Sequence, residues 1–399
     1  MSTLKVNGIR GTGASADAIT VNSTDGTCTA RITNNLSNRN KVINGDMKIS
    51  QRKLPVQLAA VEYYIVDRFK SDTGSSYDLK ADGSQATDVP AGKGFSKSLK
   101  IAADGTNTPT AGQNGGISTF LEGQDVQDFC FGSSDAKPLT LSFWAKSGSQ
   151  NNGHVYGLML GAWLGGTRNC QVKSFTVTSS WQKFTLNFAA TGTAVSGSTI
   201  NSDNASGCQI YWSLVCHSDD QKDYSTWTAD SGLRGFTSQA NFNDHASNEF
   251  YLTGVQLEVD STGSGVATDF EHRSYGDELA KCRRYYHHWV DSWDSAEHTA
   301  GLMFQSYNST GGHCPLHISP QMRATPTIKV SNATNAWQYI DGGSSDDFDT
   351  IAGNSTSLWT NQDVELYASG NLSTTAGEAA FIRCKASTNT TYLAFDAEL

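Results

Sequence analysis

The chain has 399 residues and a formal charge of −10, from 29 basic and 39 acidic side chains. Charged residues make up only 17% of it, against roughly 25% in an average soluble domain, while glycine reaches 38 residues. Straight-chain helix formers are scarce outside one segment, which argues against a helical bundle and predicts an all-β protein of two or three domains. The acidic balance also argues against nucleic-acid binding, because that function needs a basic patch.

Nothing in the sequence predicts export or membrane insertion. No apolar run approaches the roughly 20 residues of a membrane-spanning helix, and the start of the chain lacks the apolar core of a signal peptide. The 8 cysteines are widely spread and include no C-x-x-C pair. We therefore expect a protein made in a cytoplasm, with most cysteines as free thiols packed like small apolar side chains.

Residues 1–40 form a separate zone. Two short stretches, Leu4–Arg10 and Ala18–Asn22, alternate apolar and polar residues around a glycine-rich turn. They contain too few large apolar side chains for a core of their own, so we expect them to order only against other chains or a docking partner. This zone is predicted to serve oligomerisation and attachment to a larger particle.

Residues 41–273 carry the clearest strand pattern. In Pro138–Lys146, Phe143 falls on one face and Trp144 on the other. The same alternation recurs in Trp181–Phe188, Gln209–Cys216 and Phe250–Glu258. In the last of these segments the phase slips at Gly254, which predicts a β-bulge. Clean alternation is typical of antiparallel strands with one buried face, so it predicts a jelly-roll β-sandwich.

Two resemblances rest on these segments. The strand series Leu141–Lys146, Trp181–Leu186 and Phe250–Glu258 resembles that of jelly-roll carbohydrate-binding modules. A closer resemblance is to tail-fibre and other virion structural proteins of tailed bacteriophages, common among marine phages. The motifs that carry it are Val42–Arg52, Val66–Phe69, Leu121–Phe129 and Phe270–Leu279. These resemblances imply a virion protein that contains a sugar-binding type of β-sandwich.

The pattern changes period after the central segment. Ser274 and Asp277 match a helix-capping pattern, and apolar residues then recur at helical spacing as far as Trp289. This predicts one connecting helix within residues 274–290.

Residues 291–399 return to strand patterns and predict a second, smaller β-sandwich. The predicted strands are Thr299–Tyr307, Thr325–Val330, Ala379–Cys384 and Tyr392–Phe395. Because the chain ends on a strand pattern, we expect its C-terminus to be held against the fold.

We expect no catalytic residues. Hydrolysis of a glycan needs two carboxylates at a set separation, and nothing in the sequence brings two together. The available carboxylates are Asp46, Glu62, Asp67, Glu122 and Asp125. Turn, cap and ion-pair roles are preferred for them, and Asp67 with Arg68 is interpreted as a local pair at a strand end. Neither a nucleophile elbow nor a phosphate-binding loop is present.

The segment that contains His313 and His317 is the one candidate for metal binding. In an extended strand both side chains point the same way, but they lie ~13 Å apart and cannot share one ion. A site would need His287, His288, His298 or copies from neighbouring chains. We therefore expect packed or surface histidines, with neither metal nor cofactor.

Sugar recognition is the chemistry that the aromatic residues favour, because pyranose rings have apolar faces that stack on indole and phenol rings. Trp144 and Tyr211 lie on the sides of their strands opposite the apolar set, and Trp163 lies in a glycine-rich stretch predicted to be a loop. These three residues are the candidate glycan-binding site. Burial against a second subunit is the alternative, and it is favoured for any single one of these rings.

The sequence therefore predicts a structural and adhesive virion fibre or spike subunit that is not an enzyme. We expect it to form a homotrimer, to dock onto other virion proteins through residues 1–40 and to contact a host-surface polysaccharide. The alternatives are a head fibre or capsid decoration protein without a ligand, a depolymerase that cleaves the glycan, and a free cellular lectin. A depolymerase is disfavoured because the long fixed-period repeats of such fibres are absent, and a lectin because no export signal is present.

Overall fold

A computed structural model describes the chain except residues 1–5, 13–17, 22, 25, 27, 31–37, 54, 59–62, 192–197, 261–262, 295, 332–333, 342–343, 354–359 and 386–390. The described regular structure is almost all β-strand, as predicted. The helical elements are α1 (Tyr275–Arg283) and the short 3₁₀ segments Gly123–Phe129, Ser218–Asp220 and Phe242–Asp244. No helix within the described part of the chain is long and apolar enough to cross a bilayer.

A small three-stranded antiparallel sheet lies in the N-terminal zone. Its strands are β1 (Gly8–Ile9), β2 (Ile19–Val21) and β3 (Cys28–Ala30). Val6 and Ile9 are exposed, and the three hydrophobic clusters of the described residues begin only at Val42. The sheet therefore lacks a core of its own among the described residues, in agreement with the sequence. Leu4, Lys5 and Asn22 of the predicted strands lie outside the described residues.

The central unit is a jelly-roll-type sandwich of two antiparallel sheets. Its strands are β4 (Val56–Gln57), β5 (Tyr64–Val66), β6 (Phe69–Gly74), β7 (Ala81–Ala86), β8 (Ser98–Ala103), β9 (Asn114–Glu122), β10 (Leu139–Ser147), β11 (Val155–Leu164), β12 (Thr167–Thr176), β13 (Gln182–Phe188), β14 (Ser206–Cys216), β15 (Thr228–Ala229) and β16 (Glu249–Val259). One sheet has the order β13-β10-β16-β8-β7-β4, and the other β15-β12-β11-β14-β9-β6-β5.

The inner faces of the two sheets form one continuous core. Phe143 of the six-stranded sheet meets Trp212 of the seven-stranded sheet edge to face, with ring centroids 5.7 Å apart. Both side chains are fully buried, and burial of a large apolar side chain contributes about 1.5–3 kcal/mol. The alternation that predicted the central strands is therefore confirmed, because the predicted inner side chains lie in this core.

The predicted β-bulge is also confirmed. The register between β10 and β16 shifts between Ser142 and Trp144, and Gly254 has a φ of 63°. A Cβ at this position would lie 2.6 Å from the ring of Phe95 and 2.9 Å from the ring of Trp144. Glycine is required here because the backbone has a positive φ and because the neighbouring rings leave no space for a Cβ.

The prediction for the connecting helix is correct at its start and wrong at its end. The Ser274 side chain accepts a hydrogen bond from the backbone N–H of Asp277, as a helix cap does. The helix ends at Arg283, and β17 (Tyr286–Asp291) follows as a strand. The sequence Tyr-Tyr-His-His-Trp-Val has poor helix propensity and good strand propensity, and pairing with the last strand decides the outcome.

The C-terminal unit packs a three-stranded sheet against a seven-stranded one. Its strands after β17 are β18 (His298–Asn308), β19 (Gly311–His317), β20 (Thr327–Val330), β21 (Trp337–Asp341), β22 (Ser344–Phe348), β23 (Thr350–Gly353), β24 (Asp363–Ser369), β25 (Ala379–Cys384) and β26 (Tyr392–Asp396). The sheet orders are β17-β26-β20 and β22-β21-β25-β18-β19-β24-β23. Phe304 and Phe395, from different sheets, lie in one buried cluster. The smaller sandwich and its predicted strands are confirmed.

The C-terminus is held against the central unit, as predicted. The side chain of Glu398 pairs with Arg68 and, at 3.2 Å, with Arg52. The hydroxyl of Tyr64 donates to the carbonyl of Leu399 at 3.1 Å. This buried network, which we call the junction, joins the two sandwiches.

Three of the four motifs of the virion-protein resemblance contribute to the junction or to its border. Asp67 accepts hydrogen bonds from Gln51, while Arg68 pairs with Glu398. The interpretation of Asp67 and Arg68 as a local pair is therefore wrong, because each has a partner elsewhere in the sequence. In the third motif Glu122 pairs with Arg284 beside Tyr285. In the fourth motif Glu278 pairs with Arg273 and accepts from the backbone N–H of Asn44, which ties α1 to the central unit.

Candidate functional site

The structure separates the three predicted sugar-stacking residues. Trp144 lies on the outer face of the six-stranded central sheet, whereas Trp163 and Tyr211 lie on the outer face of the seven-stranded one. The two outer faces point away from each other, because the inner faces share the core. Trp144 and Trp163 therefore cannot contribute to one site.

Tyr211 is fully buried, so its prediction as an exposed stacking residue is wrong. The segment after β14 folds back over it, and a second small core forms on the outer side of the sheet. Its members are Met159, Cys170, Val172 and Tyr211, with Tyr224, Leu233 and Phe236 packed against them. Burial raises the pKa of Tyr211, which keeps the phenol neutral.

Trp163 lies near the end of β11 and not in a loop, which corrects the prediction. The loop is only the two-residue turn Gly165–Gly166, where both residues have positive φ as a tight hairpin turn requires. The ring is half-buried, 6.3 Å from the ring of Phe120, and the Arg168 guanidinium lies 5.6 Å from its centre. Arg168 also donates to Gln209, so the protein's own side chains surround this ring.

The outer face of the six-stranded sheet carries a different arrangement, a row of rings and lysines across neighbouring strands. Lys146 on β10 lies opposite Tyr251 on β16, which in turn lies opposite Lys100 on β8. The Lys146 Nζ is 4.5 Å from the centre of the Tyr251 ring and 5.8 Å from that of Trp181. Trp181 and Tyr251 meet at 6.2 Å with an interplanar angle of 69°.

Trp144 lies one step along the same face. It pairs with Thr253 on β16, two positions from Tyr251, and its ring is half-buried with Lys93 Nζ 5.9 Å from its centre. We call this surface the lysine–aromatic strip. Its members are Trp144, Trp181, Tyr251, Lys93, Lys100, Lys146, Asp88 and Glu249.

Two carboxylates hold the strip in place. The Nε1–H of Trp181 donates to Asp88 at 2.9 Å, and Lys146 pairs with the same carboxylate. Burial works against the charge of Asp88, but the hydrogen bonds from Lys146 and Trp181 lower its pKa. Likewise burial opposes the charge of Lys100, yet its hydrogen bond with Glu249 raises the pKa of Lys100.

The charge of the strip differs from that of the whole chain. Its three lysines and two carboxylates sum to +1, in a chain of formal charge −10. Half-buried rings beside fixed hydrogen-bonding groups are suited to a ring-shaped polar ligand, and the local positive charge is suited to an acidic one.

Sequence reasoning found Trp144 but missed the rest of the strip. Trp181 precedes the first residue of β13, and Tyr251 was visible only as the polar-face neighbour of Phe250. The signal that could have found these two rings is their outward position in the predicted strands Trp181–Phe188 and Phe250–Glu258. Their proximity depends on the strand order β13-β10-β16, which the sequence does not specify.

Three of the five carboxylates considered for catalysis, Asp46, Asp67 and Glu122, make structural contacts. Asp46 lies 2.9 Å from Lys48, and Glu122 lies 2.8 Å from Arg284. Burial and the charge of Glu122 raise the pKa of Asp125. Glu62 lies outside the described residues.

The two histidines of β19 lie on one side of the strand, as predicted. His313 pairs with Glu365 at 3.0 Å and His317 with Asp363 at 2.7 Å, both on the neighbouring strand β24. Among the residues that the structure describes, no three histidine, cysteine or acidic side chains gather in a way that could hold a metal ion.

The fold defines the class of protein: a β-sandwich protein whose central unit is of the jelly-roll type. No family model matches the chain, and no curated protein matches it.

Several solved structures share the general sandwich. One is the enzymatically active domain of tailspike protein 4 of bacteriophage CBA120, at 14% identity and a TM-score of 0.29, over 55% of this chain and 21% of that chain. Another is the family 11 carbohydrate-binding module of Lic26A-Cel5E of Clostridium thermocellum, at 18% identity and a TM-score of 0.25, over 56% of this chain and 99% of that chain. A third is the CBM22-1 xylan-binding domain of Paenibacillus barcinonensis Xyn10C, at 10% identity and a TM-score of 0.27, over 52% of this chain and 97% of that chain. At such low TM-scores these likenesses carry no argument about function.

Proposed function

We propose that this chain is a bacteriophage fibre or spike subunit that binds an acidic glycan of the host surface through the lysine–aromatic strip. The observation that carries the proposal is the lysine–aromatic strip on the outer face of the six-stranded sheet, where the half-buried rings of Trp144 and Trp181 and the buried ring of Tyr251 lie beside three lysines. The four sequence motifs that resemble phage virion proteins support the assignment to a virion. We propose binding without cleavage, and the structural ion pairs of Asp46, Asp67 and Glu122 support this part of the proposal.

Binding of host polysaccharide tests the site. Trp144→Ala and Trp181→Ala are expected to weaken binding of acidic capsular or lipopolysaccharide preparations about tenfold each, the equivalent of one lost ring contact of about 1.4 kcal/mol. Trp163→Ala is the matched control, because it removes a half-buried tryptophan from the opposite face of the same sandwich. Equal losses for all three variants, or a loss only with Trp163→Ala, would contradict the proposal.

The salt dependence tests the charge of the ligand. Attraction between the lysines and an acidic glycan is screened by salt, so affinity should fall as ionic strength rises from about 0.01 to 0.15 M. Affinity that does not change with salt would point to a neutral glycan at this site.

A homotrimer is the second part of the proposal. Support comes from the N-terminal sheet, whose described residues lack a core and leave Val6 and Ile9 exposed. Light scattering on the full chain should give three times the mass of 42.8 kDa. A variant that lacks residues 1–37, but keeps the buried Asn40 and its contacts, should show a weaker trimer. A stable monomer in both cases would instead favour a decoration protein.

A further inference from the structure

The C-terminal seven-stranded sheet leaves an apolar surface open on its outer face. Eight large apolar side chains of the described residues are exposed, and three of them lie here: Met303 at 58%, Tyr307 at 58% and Phe381 at 52%. Met303 and Phe381 are directly opposite each other on β18 and β25. Such a concentration on one sheet is unusual for a solvated surface and marks a contact site.

Part of this surface is concave. A groove of about 710 Å³ runs along β18 and β19, and its walls include Met303, Tyr307, His313, Glu365 and Ala379. This volume is within the range of sites for small ligands, about 300–1,000 Å³.

Two aromatic rings, those of Tyr307 and His313, line the groove at a steep angle to each other, and Tyr367 packs against His313 outside the lining. The ring of His313 lies 4.9 Å from that of Tyr307 at 72°, and 5.1 Å from that of Tyr367 at 57°. Rings at such angles form a corner, which can contact a small ring-shaped ligand from more than one side. The hydroxyl of Tyr367 lies above Gly311, where a Cβ would be only 2.3 Å away, so the missing side chain makes room for this ring.

The corner also contains fixed polar groups. His313 Nδ1 forms a hydrogen bond of 3.0 Å with Oε1 of Glu365, and Gln305 lies beside it in the wall. Glu365 lies on β24, at the border of the apolar surface and in the wall of the groove, so the groove offers a charged hydrogen-bonding group that suits a polar ligand.

We propose that this C-terminal groove is a second carbohydrate site, specific for a neutral sugar. The aromatic corner stacks on the pyranose ring, while Glu365 and Gln305 accept and donate hydrogen bonds to its hydroxyls. Among the described residues no lysine or arginine lines the groove, and Glu365 would repel an acidic sugar, in contrast to the lysine–aromatic strip. The inference goes beyond the proposed function, because the groove and the strip belong to different sandwiches and either can exist without the other.

Titration calorimetry on the full chain tests this, with maltotriose and triacetylchitotriose as neutral probes and trigalacturonate as the acidic one. We expect a neutral probe to bind, and Tyr307→Ala to weaken it about tenfold. Glu365→Gln should weaken it several-fold with an unchanged circular dichroism spectrum. Tyr275→Ala, which removes an equally exposed tyrosine from α1, and Trp181→Ala should have no effect.

Two results would overturn the inference. One is that no neutral probe binds, or that Tyr307→Ala binds it like the wild type. The other is a lower mass of Tyr307→Ala in light scattering, because this would mean that a second copy covers the groove. Loss of polysaccharide binding in Trp181→Ala alone concerns the strip, so the two proposals fail separately.

Discussion

The junction gives the sharpest stability prediction, because one carboxylate serves two buried guanidinium groups. The side chains of Arg68 and Glu398 are only 2% and 5% exposed. Arg68 also donates to the carbonyl of Phe120 at 2.6 Å, and its guanidinium lies 3.4 Å from the centre of the Tyr285 ring. Burial opposes the charge of Arg68, but Glu398 raises its pKa, so the guanidinium remains charged at neutral pH.

Glu398→Gln should lower the free energy of unfolding by about 3–5 kcal/mol, the usual effect of removing one partner of a buried ion pair. Arg52 keeps a second carboxylate, Asp67 at 3.5 Å, whereas Arg68 has no other ion-pair partner among the described residues. The uncompensated charge of Arg68 is therefore the main cause of the loss.

Urea unfolding followed by tryptophan fluorescence measures the effect. The control is Glu297→Gln, which removes the carboxylate that pairs with Arg383 at 3.1 Å. In this pair the Arg383 side chain is 31% exposed and the Glu297 side chain 40%. An exposed pair contributes at most about 1 kcal/mol. The double change Arg68→Met with Glu398→Leu should recover part of the loss, since the buried charge of Arg68 is removed together with that of its partner while Arg52 keeps Asp67. If Glu398→Gln costs no more than Glu297→Gln, the reasoning about the junction is wrong.

Three further predictions concern stability and reactivity. Burial, with the nearby charges of Arg283 and His288, lowers the pKa of His287 to about 4. The unfolded chain then binds more protons between pH 4 and 6.5, so His287 should lower the free energy of unfolding by about 3 kcal/mol as the pH drops through this window. His287→Gln should remove this part of the slope in urea unfolding and leave that of His288, whose pKa burial also lowers. Gly254→Ala should lower the free energy of unfolding by at least about 1–2 kcal/mol in the same assay, because φ is 63° and a Cβ would meet the ring of Phe95. As its control, Gly276→Ala in α1 should raise the free energy of unfolding by about 0.5–1 kcal/mol, because a Cβ there would have no atom within 4 Å. Of the seven cysteines described as free thiols only Cys130 is not buried, so a thiol reagent should label Cys130 before the other six in the native protein, and Cys130→Ser should remove the labelling of this position in peptide mass mapping.

Local sequence patterns predicted most of the fold, because alternation reports directly which side of a strand is buried. Leu141 and Phe143 reached the core as expected, and the shift at Gly254 marked the bulge. The pattern failed at Tyr286, where a spacing compatible with a helix belongs to a strand that pairs with β26. A short apolar repeat does not separate these two structures, and tertiary pairing decides between them.

The candidate sites were predictable only in part, because they depend on contacts between residues distant in sequence. Trp144 was identified by its position on the outer side of β10, but its companions come from β16, from β8 and from loop positions before β8 and β13. Tyr211 has the same sequence signature and is buried, because the segment after β14 covers it. The pairing of Arg68 with Glu398 spans 330 positions, so no local motif indicates it.

Hydrogen–deuterium exchange of the full chain with and without an acidic host polysaccharide locates the glycan on the molecule. Exchange should slow in β10, β13 and β16, which carry or border the lysine–aromatic strip, and should not change in β11 and β14 of the opposite sheet. Protection confined to β11 and β14, or no protection anywhere at a saturating polysaccharide concentration, would contradict glycan binding at the strip.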